Sequence, residues 1–250
     1  YIRKVLVKAN KLEKINNGLY RKLDIIKYSY DLTDDDVKVI EIIKQELIQI
    51  KKDYNEIVDA HRNKSFAYTR LGKEMEGLNM RLSKTEEKLE VALRSLGSLE
   101  EDEERAHEQL DEIKEILGRA KLKIESYKLP VIPNNYYVQL SEANVAIKEM
   151  IKEMNKKPVS IKTLNIRVDT ARDLVLKLYN TTNDMIKMAS TTENLIVYGN
   201  KYRSTNSRVD EGLKLSEQLF YKGNYEKAYK TAISTIEIVD KDIKNKVVGM

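Results

Sequence analysis

Apolar residues open the chain at alternating steps of three and four: Ile2, Val5, Ala9, Leu12, then Leu19, Leu23, Ile26 and Tyr30, with Asn16 as a polar interruption. Such spacing lines one face of a helix, and that face must be covered by another surface because a lone helix cannot bury it. The stripe stops at Tyr30-Asp31-Leu32-Thr33-Asp34. Thr33 has the chemistry of an N-cap, and Asp34, Asp35 and Asp36 suit the positive end of a helix dipole. The pattern predicts two antiparallel helices joined by a short link.

A much longer stripe follows. It runs from Ile40 to Tyr127 in one phase, taking in the polar residues His61, Lys64, Thr85 and Glu103 on the way. No proline interrupts it, and Gly72, Gly77, Gly97 and Gly118 lie off it. The unbroken phase predicts a single helix of roughly ninety residues, about 140 Å long. A break near Gly72 or Gly77 is the alternative. Lys64, Thr85 and Glu103 read as residues that fix register or loosen the seam, or as a partner site.

Leu129-Pro130-Val131-Ile132-Pro133 ends that helix, since proline is not tolerated in a helix interior. A shorter helix is predicted next, seamed by Tyr137, Leu140, Ile147, Ile151 and Met154 and closing at Lys156-Lys157-Pro158. Ser160 is placed to cap another, whose stripe runs from Ile161 to Ile196. A Ser/Thr/Asn-rich link reaches Ser207. A hairpin then spans Val209 to Tyr221 and Tyr225 to about Lys244, turning at Lys222-Gly223-Asn224.

These elements make the expected fold all-α: an extended rod of spectrin-like antiparallel three-helix bundles and coiled coils sharing a long helix. Residues 1–129 are expected to form the first part, with the long shared helix, and residues 130–250 a helical bundle ending in a hairpin. Composition agrees. Charged residues make up 34% and aromatics 7%, with 3 Pro and 9 Gly, which suits thin bundles kept soluble by charge better than a compact globule. No window approaches the roughly 18 apolar residues of a membrane span. The first residue, Tyr1, already lies in helical pattern, so the sequence reads as a piece of a longer protein.

The net charge of +5 is mild for 250 residues and does not point to nucleic acid. Its distribution is uneven. Arg3, Lys4, Lys8, Lys11, Lys14, Arg21, Lys22 and Lys27 face only Glu13 and Asp24, while Glu100 to Glu104 form an acidic run. Each reads as a solvated helix face or as an electrostatic docking patch.

Catalytic chemistry finds little footing. There is no cysteine, and the only histidines, His61 and His107, would lie roughly 70 Å apart on one helix. A phosphate-binding glycine loop and a G-x-S-x-G elbow are both absent from the sequence. No cofactor, metal or enzymatic activity is expected.

The segment from Leu195 to Arg208 fits the stripe least, combining Tyr198, Lys201, Tyr202 and Arg203 with amides at a helix end. It reads either as a basic helix terminus or as a recognition patch, since Tyr and Arg are common interface anchors. Tyr198-Gly199-Asn200-Lys201-Tyr202-Arg203-Ser204, with Leu219-Phe220-Tyr221-Lys222-Gly223-Asn224-Tyr225-Glu226-Lys227-Ala228, resembles the C-terminal part of the EzrA family of low-GC Gram-positive bacteria, the staphylococcal form in particular. The resemblance implies a septation ring formation regulator: a curved array of spectrin-like repeats on the cytoplasmic face of the cell membrane at the division septum. It implies a membrane anchor outside this sequence, a fragment that is soluble alone, restraint of FtsZ ring assembly and links to wall-synthesis enzymes.

The family's Gln-Asn-Arg-rich patch aligns here, with Gly199 at the Gln position, Asn200 at the Asn and Lys201 at the Arg. The partner-binding residues expected from it are Tyr198, Asn200, Lys201, Tyr202, Arg203 and Ser204, with Arg203 able to supply the guanidinium that Lys201 lacks. The alternative is a spectrin-like spacer for other division proteins without direct FtsZ contact. Self-association is left open. The hairpin from Leu219 to Ile236 resembles a single tetratricopeptide unit, with Ala228 and Ala232 as small packing residues.

Overall fold

The computed structural model describes residues 2–62 and 68–247. In chain order the helices are α1 (Ile2–Ser29), α2 (Asp34–Arg62), α3 (Tyr68–Tyr127), α4 (Asn134–Met154), α5 (Ile161–Gly199), α6 (Ser207–Tyr221), α7 (Tyr225–Ile236) and α8 (Ile243–Val247), with a 3-10 turn at Asn200–Tyr202. Two compact units divide the chain: residues 1–106 with 152–165, and residues 107–151 with 166–250. Among the described residues no helix is long and apolar enough to cross a membrane.

In the first unit, α1, α2 and the start of α3 form a three-helix bundle. Glu13 pairs with Lys51 at 2.7 Å, so α1 and α2 are antiparallel, and Lys8 meets Glu86 at 2.5 Å, so α1 and α3 run the same way. Asp53 with Arg81 and Glu46 with Lys88, each at 2.5 Å, place α3 back along α2. This corrects the single ninety-residue helix. Phase reports which face is buried and not whether the chain continues, so two helices sharing one core can keep a common phase across a reversal. Lys64 and the side chain of His61 lie outside the described residues. α3 itself passes Gly72, Gly77, Gly97 and Gly118 without a break.

The stripes fill the core as the spacing predicts. Val5, Ala9, Leu12, Ile40, Ile43, Leu47, Leu78, Leu82 and Leu89 are buried together. Thr33 caps α2 with reciprocal bonds: its hydroxyl accepts from the Asp36 N–H at 3.3 Å, and Asp36 accepts from the Thr33 N–H at 3.0 Å. Both described polar seam residues are used internally. The Thr85 hydroxyl lies 3.0 Å from the Arg81 carbonyl and 3.1 Å from Glu46. Glu103 accepts from the Tyr30 phenol at 2.7 Å and from Lys157 at 3.2 Å. Tyr30 and Val159 form a parallel bridge beside this pair. Burial, then the Glu103 bond, raises the Tyr30 phenol above its usual range.

The second unit packs the late part of α3 with α4 and α5. Lys123 bonds Asn183 at 2.5 Å and Tyr127 bonds Glu193 at 2.6 Å, so α3 and α5 are parallel and the short links on either side turn α4 the other way. The stripe of α4 lies one residue from the predicted one at its start: Tyr136 and Gln139 are buried and Tyr137 is exposed. Adjacent tyrosines give pattern alone no means of choosing between them. The final helical segment is also shorter than predicted. α7 ends at Ile236, and the chain turns before α8 brings Ile243 into the same buried cluster as Leu195, Leu213 and Ile236.

Candidate functional site

The least regular stretch of the sequence lies where α5 gives way to the 3-10 turn. Gly199 has helical angles, φ −73° and ψ −19°, so it is not chosen for backbone freedom. Space selects it: a Cβ there would lie 2.5 Å from Ile236 Cδ1 and 2.6 Å from Leu213 Cδ1. The resemblance puts glutamine at this position, and here α6 and α7 occupy the room its side chain would need. The chain then turns tightly, with the Arg203 N–H on the Asn200 carbonyl and the Asn206 N–H on that of Tyr202. Asn206 caps α6, its Oδ1 accepting from the N–H groups of Arg208 and Val209 at 3.1 and 3.3 Å.

Of the six residues expected at a partner surface, three brace the turn and three stand exposed. Tyr198 and Tyr202 are half-buried and meet edge to face at 6.0 Å between centroids. The Tyr198 phenol donates to Asp240 Oδ2 at 2.7 Å, which ties the end of α5 to the turn after α7. That bond, with one to Tyr202 next, pushes the Tyr198 phenol up to about 12. Asp240 also accepts from Lys246 at 2.6 Å, and this bond is the main cause of its lowered pKa. Arg203 is committed as well. One guanidinium nitrogen pairs with Glu217 and another lies 3.7 Å from Asp210, both on α6. Its Nε is buried with no hydrogen-bond partner. The free guanidinium expected from the sequence is therefore turned inward, bracing the turn against α6.

Asn200, Lys201 and Ser204 remain exposed. Lys201 Nζ lies 3.9 Å from the Tyr198 ring centroid and 4.8 Å from that of Tyr202. The rings hold the ammonium by cation–π attraction. Contact with the Tyr202 hydroxyl, first among the causes, raises the Lys201 pKa, so the group is charged at neutral pH. The arrangement can recognise an acidic partner by one fixed cation flanked by an amide and a hydroxyl. It offers no acid, base or nucleophile pair for catalysis, and among the described residues no cluster of His, Cys, Asp or Glu could hold a metal ion.

Sequence reading missed the supports Asp210, Glu217, Asp240 and Lys246. Asp210 and Glu217 sit one heptad apart on α6, but only the fold brings Arg203 to them. The second resembling stretch is structural. Tyr225 donates its phenol to the Val131 carbonyl at 2.6 Å, and Ala228 and Ala232 are fully buried in the α6–α7 hairpin. Gly223, with φ +78°, makes the turn between those helices.

The family model described as "Septation ring formation regulator, EzrA" matches residues 2–250. The chain belongs to the EzrA family. That family is one of septation ring formation regulators and not of enzymes. Among curated EzrA proteins, that of Geobacillus sp. (strain WCH70) is 34% identical over 135 residues, 54% of this chain and 24% of that protein. The Bacillus licheniformis protein is 23% identical over 227 residues, 91% of this chain and 40% of its own length. The protein of Staphylococcus epidermidis strain RP62A is 21% identical over 233 residues, 93% and 41% respectively. The chain thus spans well under half of these relatives. A solved structure, "Cytoplasmic domain of bacterial cell division protein EzrA", superimposes with a TM-score of 0.73 at 20% identity, covering 99% of this chain and 47% of that one. The fold is that of the EzrA cytoplasmic domain, all-α and spectrin-like.

Proposed function

We propose that this chain is part of a cell-division scaffold that restrains FtsZ ring formation and links the ring to the membrane and to wall-synthesis proteins. It works at the cytoplasmic face of the membrane, at the division septum. Family membership supports the class of function. The observation that carries the contact surface is Lys201: an exposed ammonium held between two rings, with no carboxylate partner among the described residues. A cation fixed in this way gives orientation and on-rate toward an acidic surface more than bulk affinity. Asn200 and Ser204 add hydrogen-bonding specificity, while Tyr198, Tyr202 and Arg203 keep the turn in shape.

The test is co-sedimentation of the chain with FtsZ polymers at low salt, comparing the parent with Asn200→Ala/Lys201→Glu. The parent is expected to pellet with FtsZ and lower polymer yield, and the variant to do neither at unchanged helicity. A parent chain that leaves both polymer yield and its own pelleting unchanged would sink the proposal. Carried into the full-length protein in cells, the same substitution separates the spacer reading. Loss of septal placement with FtsZ binding intact would favour an adaptor for other division proteins.

A further inference from the structure

The basic residues of α1 are not spread evenly around the helix. Its core face buries Val5, Ala9, Leu12, Leu19 and Leu23. The opposite stripe, Lys4, Val7, Lys11, Lys14, Gly18, Arg21, Ile25 and Tyr28, is exposed throughout. Steps of three and four make it one line along the helix, about 36 Å long. It contains cations and apolar residues but no acid. Val7, Ile25 and Tyr28 are 63%, 67% and 73% exposed, more than an isolated surface methyl group would require.

Nearby acids leave these cations uncompensated. Glu13 is paired with Lys51 and Glu86 with Lys8. Glu90 lines the groove between α1 and α3 beside Lys4 and Lys11, and Asp24 is exposed on α1, but neither lies on the stripe. Lys4, Lys11, Lys14 and Arg21 form no ion pair among the described residues.

The order of residues along the line narrows the occupant. A partner helix packing as a coiled coil needs apolar side chains along the middle of its seam. Here the middle is Lys11, Lys14, Gly18 and Arg21, and the apolar groups sit toward the ends. A polynucleotide would satisfy the cations but offers nothing to Val7 and Ile25. An anionic bilayer supplies both needs: lipid phosphates for the cations, and acyl chains just beneath for Val7, Ile25 and the interface-seeking ring of Tyr28. We propose that the outer face of α1 docks on a membrane surface rich in anionic lipid, a contact additional to any made at Asn200–Ser204.

Vesicle flotation of the whole chain tests this. Vesicles of phosphatidylglycerol and phosphatidylcholine in equal parts are expected to carry the chain, with binding that weakens as salt rises, and phosphatidylcholine alone is not. Lys11→Gln/Lys14→Gln/Arg21→Gln is expected to lower partitioning by about a hundredfold, from the typical contribution of each cation near such a surface. Val7→Ser/Ile25→Ser/Tyr28→Ser is expected to lower it by about tenfold. All six positions are exposed, so far-UV circular dichroism should stay unchanged. Equal flotation on neutral vesicles overturns the proposal. So does an apolar variant that floats like the parent, and duplex DNA binding of equal strength alongside that result would reassign the stripe to polyanions in general.

Discussion

Adding one methyl group at Gly199 probes the packing that supports the candidate surface. The backbone angles there are helical, so alanine can adopt them, and by itself the change would stabilise by about 0.4–1 kcal/mol through the unfolded chain. Opposing this, the new Cβ falls 2.5 Å from Ile236 Cδ1 and 2.6 Å from Leu213 Cδ1, where contact normally begins near 3.4 Å. Both are tips of side chains and could swing aside on a surface. Leu213 and Ile236, however, are fully buried in one cluster with Leu195, Val209 and Ile243, so motion of either is passed to its neighbours. Overpacking of this kind costs about 1–3 kcal/mol. The net expectation for Gly199→Ala is a loss of about 1–2 kcal/mol, or roughly 2–8 °C in Tm for a chain of this size.

The assay is thermal and urea unfolding followed by far-UV circular dichroism, with Gly118→Ala as the matched control. Gly118 lies inside α3 with nothing within 4 Å of its would-be Cβ, so the same chemical change should stabilise by about 0.5–1 kcal/mol. Opposite signs for one substitution at two helical glycines are the content of the prediction. A second variant checks the cause. Leu213→Ala should cost about 2–5 kcal/mol alone and about 1 kcal/mol less in the Gly199→Ala background, because the added methyl fills part of the cavity. Gly199→Ala as stable as the parent, with Gly118→Ala behaving as expected, would refute the crowding argument.

Three further outcomes follow from single contacts. Asn16 is buried in the first bundle with neither amide atom hydrogen-bonded, so Asn16→Leu should raise stability in urea by about 1–3 kcal/mol; a loss would mean the amide is satisfied. Arg203→Ala should cost about 1–2 kcal/mol by stranding Glu217, and Arg203→Lys should recover less than half because an ammonium cannot span both Glu217 and Asp210. An urea series in which Lys performs as well as Arg would count against the bracing role. Tyr198 has its folded pKa raised to about 12 from the ordinary phenol value of 10.0, so its bond to Asp240 stabilises fully below pH 10 and that contribution is lost as pH climbs through 12. Phenolate absorbance of the parent minus Tyr198→Phe should show this late-titrating group, and a difference spectrum centred near the usual phenol value would contradict it.

The bundle architecture was legible because heptad spacing is a local property of sequence. Thr33 and its run of aspartates mark a helix start, Pro130 and Pro133 mark a boundary, and Gly223 marks the hairpin turn, each through chemistry confined to a few neighbours. What could not be read depended on groups far apart in the chain. The reversal between α2 and α3 left no trace in phase, since both helices face one core. The choice between Tyr136 and Tyr137 rested on what covers α4. At the candidate surface, residue types alone put Lys201 and Arg203 together among the expected partner-binding residues, with Arg203 as the source of a guanidinium. The fold ties Arg203 to Asp210 and Glu217, which lie on a helix that only folding brings alongside, and leaves Lys201 without a carboxylate among the described residues.

The commitment of Arg203 bears on how such surfaces should be read. An arginine at an irregular helix end is a good interface residue only if its fork is unspent, and here two carboxylates and a buried Nε show it spent. Lys201 is the poorer chelator but the better candidate, because aromatic faces hold it without neutralising it: cation–π attraction orients the ammonium and leaves its charge to an incoming anion. The same criterion separates the cations of α1. Lys8, paired with Glu86, belongs to the bundle, while Lys11, Lys14 and Arg21 have no ion pair among the described residues. Free charge, and not residue type, is therefore what distinguishes a recognition surface from a brace on a chain that is one-third charged residues.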